Sequence, residues 1–326
     1  MATEESSSAS RHDMAERTHS SRWTVEFACS LDHVLARMSG SAEALRDGRV
    51  FVDGKRVFDP LLPLEPGAFV DVFPAPPEQP RNLHVLSTHE NLIAVMKPAG
   101  LSTIPDQRGH AASLLDAVAK ALGERDLSRV HPTSRLDRGV SGVVVFALGK
   151  QAREIMQQAR QQNRYQRHYV ALVAQPPTPS QGKIDAPIGR GKRPTERSVH
   201  GKNAVNSITY FQTIDRLPQM AMVAVEPQTG RTHQIRVHLS HANAPLLGDD
   251  TYGGPRRLVL PRGAVLRFDR VALHAAWVKI AWPDGTPWHV EAPMDEVLMR
   301  WWSRAGGHPD SWNRAWQPLS VDMGST

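Results

Sequence analysis

The chain has 326 residues, 40% of them hydrophobic, with a single cysteine (Cys29) and 39 Lys+Arg against 33 Asp+Glu, a formal charge of +6. The length exceeds that of most single cores and implies two domains. The lone cysteine excludes an internal disulfide and any cysteine-cluster metal site, and no stretch is long and apolar enough to span a bilayer. The basicity is local: residues 150–202 carry eleven Lys/Arg and three acidic side chains, net +8, which favours a polyanionic partner.

Residues 1–20 are rich in Ser, Ala and charge, lack hydrophobic periodicity and read as a disordered tail. They show no basic stretch followed by an apolar core, so a soluble, cytoplasmic protein without a secretory signal is expected. A small α+β module follows over 21–75. Ser30 is placed to cap a short helix bearing Leu31, Val34, Leu35 and Met38, residues 50–57 read as a hairpin turning at Asp53-Gly54, and residues 69–73 read as a strand. The proline-rich segment 76–83 reads as a stiff linker.

The larger domain is expected over 84–303, with a loosely ordered tail over 304–326. Strands are expected at residues 92–96, 143–148, 169–173, 207–213, 220–225 and 278–282. Helices are expected at 113–122, capped by Ser113 and stopped by Gly123, and at 151–162. Strands with interspersed helices but no regular βα alternation indicate α+β. Residues 235–239 fit either period, since Ile235, Val237 and Leu239 alternate while Ile235, Leu239 and Ala242 share a helical face.

Three segments carry the chemistry. Ser134-Arg135-Leu136-Asp137-Arg138-Gly139-Val140-Ser141-Gly142 sets a carboxylate between two arginines at the mouth of the apolar run 143–147. Arg167-His168-Tyr169-Val170-Ala171-Leu172-Val173 sets a phenol in a strand, and Gln228-Thr229-Gly230-Arg231-Thr232-His233-Gln234-Ile235-Arg236-Val237-His238-Leu239 is dense in donors. Taken singly, Asp137 more often closes a turn, Tyr169 is more often core, and Arg231 is more often a solvated charge. His233, His238 and His241 lie close together, but their spacing matches no ligand pattern and no metal is expected. The glycines of Gly189-Arg190-Gly191-Lys192 lack the spacing of a phosphate-binding loop, so that region reads as a mobile basic loop.

Together these segments resemble the RluA-type pseudouridine synthases, whose signatures read HRLDxxTSG, YxALV and TGRTHQIRVHL. Residues 90–101, 245–253 and Leu273-His274-Ala275 extend the likeness over about 84–300. The resemblance implies a bent, mixed, largely antiparallel sheet with flanking helices, and an N-terminal module similar to the alpha-L RNA-binding domain. Residues 30–73 carry seven acidic and five basic side chains, so that module is not expected to hold RNA by charge alone.

The resemblance also implies a cofactor-free isomerisation of uridine in structured RNA, with ribosomal RNA of the large subunit favoured and transfer RNA open. It assigns Asp137 to attack at the anomeric carbon or to proton removal from the ribose. Arg231 is expected to pair with Asp137, and Tyr169 to stack on the extruded uracil. Arg135, Lys97, Arg138, Arg190, Lys192, Arg193, His233, Gln234 and Arg236 are expected to contact RNA, with Arg135 entering the vacated stack or holding a phosphate. The resemblance favours a helix opening near Arg231, and a monomer is the default. Ser134 and Val140 stand where the family pattern has His and Thr. That departure motivates a rival reading, an RNA-binding or ribosome-assembly protein without turnover. A nucleoside hydrolase is a weaker rival.

Overall fold

The computed structural model describes residues 21–37, 44–45, 50–72, 83–105, 113–124, 126–261, 263–282 and 284–319. The expected tail over 1–20 and most of the linker lie outside them. The described residues fall into two compact units, the first holding those of 21–72 and the second those of 83–104 and 113–319.

In the first unit, β1 (Ser21–Thr24), β3 (Val50–Val52), β4 (Lys55–Arg56) and β6 (Phe69–Val72) form a sheet in the order β1-β6-β3-β4, while β2 (Cys29–Ser30) pairs with β5 (Pro63–Leu64). Asp53 and Gly54 both take positive φ, +48° and +77°, the combination that matches a two-residue turn to strand twist. Helix α1 (Leu31–Leu35) turns Leu31, Val34 and Leu35 onto Val50, Leu64 and Val70, which together make a small apolar core.

The second unit is built on one ten-stranded sheet. Its main path runs β12 (Gln181–Asp185), β16 (Ile208–Leu217), β17 (Met220–Pro227), β11 (Tyr165–Val173), β20 (Leu273–Ala281), β10 (Ser141–Leu148), β8 (Leu92–Lys97), β7 (Val85–His89). β9 (Val130–Pro132) adds to β10 and β21 (Pro287–Glu291) adds to β20, while β18 (Arg257–Val259) and β19 (Val265–Arg267) pair separately. All its pairings are antiparallel except β10 with β20, so the sheet is mixed and the α+β class holds. Parallel pairing brings Gly142 against Ala275 so closely that a Cβ there would lie 2.2 Å from the Ala275 carbonyl oxygen; with φ at +121°, only glycine fits. Helix α2 (Leu114–Ala121) starts from a Ser113–Asp116 capping box, and α3 (Gly149–Gln161) buries Ala152, Met156 and Ala159.

Two segments differ from expectation. Residues 305–319 are not a loose tail, and the rest of the expected tail lies outside the described residues. Beyond α5 (here Glu296–Arg304, following α4 at Gln234–His241), helix α6 (Asp310–Ala315) buries Trp312 beside Trp301, Trp302 and Trp277. His168 Nε2 donates to the Ala315 carbonyl (2.7 Å) and Trp277 Nε1 to that of Trp316 (2.8 Å). Indole burial orders this segment. Residues 188–205 likewise form a three-stranded ribbon, β13 (Ile188–Arg190), β14 (Arg197–Ser198) and β15 (Lys202–Val205), in place of a mobile loop. Gly189 and Gly201 pack backbone to backbone there, and Gly191 N–H donates to the Glu196 carbonyl.

Candidate active site

A cavity of about 550 Å³ opens where the loop before β10, strand β11 and the start of α4 converge, within the size range of small-ligand sites. Asp137 and Tyr169 both line it. So do six arginines, Arg135, Arg138, Arg160, Arg167, Arg231 and Arg236, and Asp137 is the one carboxylate among the lining residues. A cavity so lined favours an anionic ligand.

The Asp137 loop is fixed from behind by residues 97–103. Thr103 Oγ1 donates to the Leu136 carbonyl (2.8 Å) and accepts from Leu136 N–H (3.0 Å), while Gly100 N–H donates to the Arg138 carbonyl (2.7 Å). Arg138 Nε donates to the Gly100 carbonyl (2.8 Å), so this arginine braces the loop from the cavity edge. Lys97 was expected on the floor of the cleft, in contact with RNA. It is fully buried and donates to the carbonyls of Pro98, Leu101 and Arg138, and it does not line the cavity. Burial pulls its pKa down to about 7, against the upward pull of Asp137.

The expected Arg231–Asp137 pair does not form. Arg231 is exposed and donates to the Asn206 carbonyl at 3.4 Å. Arg236, expected on RNA, takes that place. Its Nη1 donates to Asp137 Oδ2 (2.9 Å), while Nε and Nη2 clamp Asp249 (2.7 and 2.8 Å) and the guanidinium lies 4.9 Å from the Tyr252 ring centre. The reason is helical geometry. His233 caps α4 in the left-handed region (φ +58°), and Arg236, in the first turn of the helix, is turned inward beneath the loop. Burial works against the Arg236 charge, but the bonds to Asp249 and Asp137 outweigh it and raise its pKa.

His233 lines the cavity with Nε2 3.7 Å from Asp137 Oδ2 and Nδ1 2.7 Å from the Tyr252 hydroxyl. Burial lowers its pKa despite the neighbouring carboxylate, so the imidazole is neutral at pH 7. Gln234 was expected to touch RNA, yet its amide is committed inward. Oε1 accepts from Arg231 N–H and Thr229 Oγ1, and Nε2 donates to the Ile208 carbonyl and Thr209 Oγ1. His238 is also engaged at both ring nitrogens, by Thr209 and the Ala186 carbonyl. Arg135 stays at the exposed rim, 3.5 Å from Thr232 Oγ1. Arg190, Lys192 and Arg193 lie on or beside the 188–205 ribbon, outside the cavity wall.

Strand alternation on β11 explains the remaining wall. Arg167 and Tyr169 point to the cavity, and His168 between them points to the opposite face, where it bonds Glu226 (2.8 Å). Burial raises the Tyr169 pKa to about 12, so it is a neutral phenol, and among the described residues its hydroxyl has no hydrogen-bond partner. Ser134 Oγ reaches the Tyr165 hydroxyl at 3.2 Å, with Thr133 Oγ1 at 3.1 Å, so the loop is braced without the family imidazole. Val140 is buried against the core. Asp249, Tyr252, Arg160 and Arg167 were missed as site residues; a lone arginine between Ile235 and Val237 inside an apolar helix face was the available sign of a buried ion pair.

Beneath the loop, His274 Nδ1–H donates to Ser141 Oγ (2.9 Å), whose hydroxyl donates to Asp295 (2.5 Å), itself held by Arg270. Burial lowers the His274 pKa to about 4. From pH 6.5 down to 4 the unfolded chain therefore takes up a proton that the folded chain refuses, and stability falls across that window by roughly 3 kcal/mol from this residue. Stability measured against pH should be flatter between 6.5 and 4 in His274→Gln than in the wild type.

A mixed sheet carrying an arginine-lined cavity with one carboxylate defines a site suited to an anionic ligand. The family model described as RNA pseudouridylate synthase matches residues 91–241. An uncharacterized RNA pseudouridine synthase of Bacillus subtilis is 31% identical, covering 74% of this chain and 76% of its own. The ribosomal large subunit pseudouridine synthase D of Yersinia pestis is 32% identical, covering 82% and 88%. The solved structure of human RNA pseudouridylate synthase domain containing 4 shares the fold at a TM-score of 0.55 and 23% identity, over 68% of this chain and 93% of that one. The chain belongs to the RNA pseudouridine synthase family and is an isomerase of that type.

Proposed function

We propose that this protein converts uridine to pseudouridine in ribosomal RNA of the large subunit, using Asp137. In that reaction the bond from ribose C1′ to uracil N1 breaks, a bond from C1′ to C5 forms, the C5 proton leaves and N1 gains one. No atom other than protons is exchanged with solvent, and no electron is transferred. Asp137, aimed by Arg236, attacks C1′ or removes a ribose proton, and Tyr169 offers its ring to the detached uracil and its free hydroxyl to the proton movements. The supporting observation is one carboxylate, held by a buried guanidinium, sharing an arginine-lined cavity with a neutral phenol.

A ribosomal target is supported by the relatives named for the large subunit, and the helix and hairpin of residues 21–72 support an alpha-L-like accessory module. Arg135, Arg231 and the ribbon bearing Arg190, Lys192 and Arg193 are taken as the flanking RNA surface, in the cytoplasm. Pseudouridine mapped in ribosomal and transfer RNA from a knockout strain should show a missing site in 23S-type RNA that purified protein restores. Restoration in transfer RNA alone would reassign the target. A chain that binds RNA but restores nothing would be the non-catalytic protein that Ser134 and Val140 suggested.

A further inference from the structure

Arg160, in the last turn of α3, and Arg167, on β11, converge beneath Gly230. A Cβ on Gly230 would lie 2.9 Å from Arg160 Nη2 and 3.1 Å from Arg167 Nη1. Their other bonds go to backbone carbonyls: Arg160 Nη1 to Thr133 (2.6 Å), Arg167 Nη2 to Pro227 and Thr229 (3.0 and 2.8 Å). The two nitrogens flanking Gly230 donate to no acceptor among the described residues, and no carboxylate pairs with either arginine there. Both residues line the cavity beside Tyr169, and Arg167 is 8% exposed. Arg167 is buried and Arg160 is exposed at the cavity edge, and the N–H groups that both turn toward Gly230 are unspent, so an anion arriving there can accept from the two together. Glycine at 230 serves this arrangement sterically, since its φ lies outside the left-handed region.

We propose that Arg160 and Arg167 form a seat for one backbone phosphodiester of the RNA strand, at the target nucleotide or its immediate neighbour. The proposal rests on the synthase reading, because it takes the strand to enter the Asp137 cavity. The seat fixes how deeply a base can enter: a phosphate bridging the two guanidiniums is tethered to a ribose within one nucleotide of Tyr169. Its specificity is for phosphodiester and not for base, so it positions the strand while the cavity reads uracil.

The test is salt-dependent binding of fluorescein-labelled octauridylate in an Asp137→Asn background, where no turnover occurs. Arg160→Gln removes one charge at an exposed position. Gly230→Ala removes no charge and fills the seat with a methyl group. Each variant should weaken binding about ten-fold at low salt and lower the slope of log affinity against log salt by about 0.7, one phosphate contact on a single strand. Combining them should cost little more than either alone, because both destroy the same contact. If Gly230→Ala keeps the wild-type slope while Arg160→Gln lowers it, the arginines act only as diffuse charge and the seat is overturned; unchanged slopes in both variants overturn it too. Pseudouridine formation by the unsubstituted protein is scored separately, so lost turnover with the expected slopes refutes the synthase reading and leaves the seat standing.

Discussion

Asp137→Asn should leave the fold and RNA binding intact and lower pseudouridine formation by at least about 10³-fold. The amide nearly preserves shape and can still accept from Arg236 Nη1, but it is neither a nucleophile nor a base of useful strength. Asp137 is partly exposed, its side chain at 27%, and the fold around it is held by backbone and Thr103 contacts that do not involve its carboxylate. Stability should therefore change little while turnover collapses. Single-turnover assays on the restored RNA site, with circular dichroism melts of both proteins, separate the two effects.

Arg236→Met should fail in both respects. Its guanidinium is the partner of Asp249, whose side chain is 1% exposed, and removing it strands a buried carboxylate at a cost of about 3–5 kcal/mol. It also frees Asp137 to swing from its aim. Arg236→Lys keeps a charge but cannot donate twice to Asp249 and once to Asp137 in one plane, so it should retain part of the stability and little of the activity. Arg231→Lys, at an exposed arginine whose guanidinium donates, among the described residues, to the Asn206 carbonyl alone, should cost less than 1 kcal/mol. Chemical denaturation of the three variants orders them, and a stability loss in Arg231→Lys equal to that in Arg236→Met would put the ion pair on the wrong arginine.

Local sequence carried the parts of the fold that depend on local rules. The Ser113 cap, the Asp53-Gly54 turn and the apolar runs at 92–96, 143–148 and 220–225 announce themselves through capping, turn chemistry and burial. The strand at 273–281 was recognised only near its end, because His274 and Lys279 interrupt the apolar pattern that its central position would otherwise give. Trp312, Ala315 and Trp316 share a helical face, but the run is only six residues long, and packing against the back of the sheet is what orders it.

The site follows the same division. Asp137 and Tyr169 were legible because each sits in a distinctive segment, and the cavity brings them together. Their electrostatic partners were not. Choosing between Arg231 and Arg236 requires knowing that α4 opens at a left-handed His233, and the pairing of Arg236 with Asp249 spans two elements. Lys97 was misplaced for a related reason: three backbone carbonyls from separate turns converge on its ammonium, and no sequence pattern announces them.

The central claim is that the carboxylate in this cavity drives exchange of the glycosidic bond from N1 to C5. Ribosomal RNA transcribed with uridine tritiated at C5 tests it directly, since forming the new bond must expel that hydrogen to water. Purified wild-type protein should release tritium in step with pseudouridine at the mapped site, and Asp137→Asn should release none above background. Tritium release undiminished in Asp137→Asn, or none from a folded, RNA-bound wild type on any RNA that lacks the modification, would contradict it.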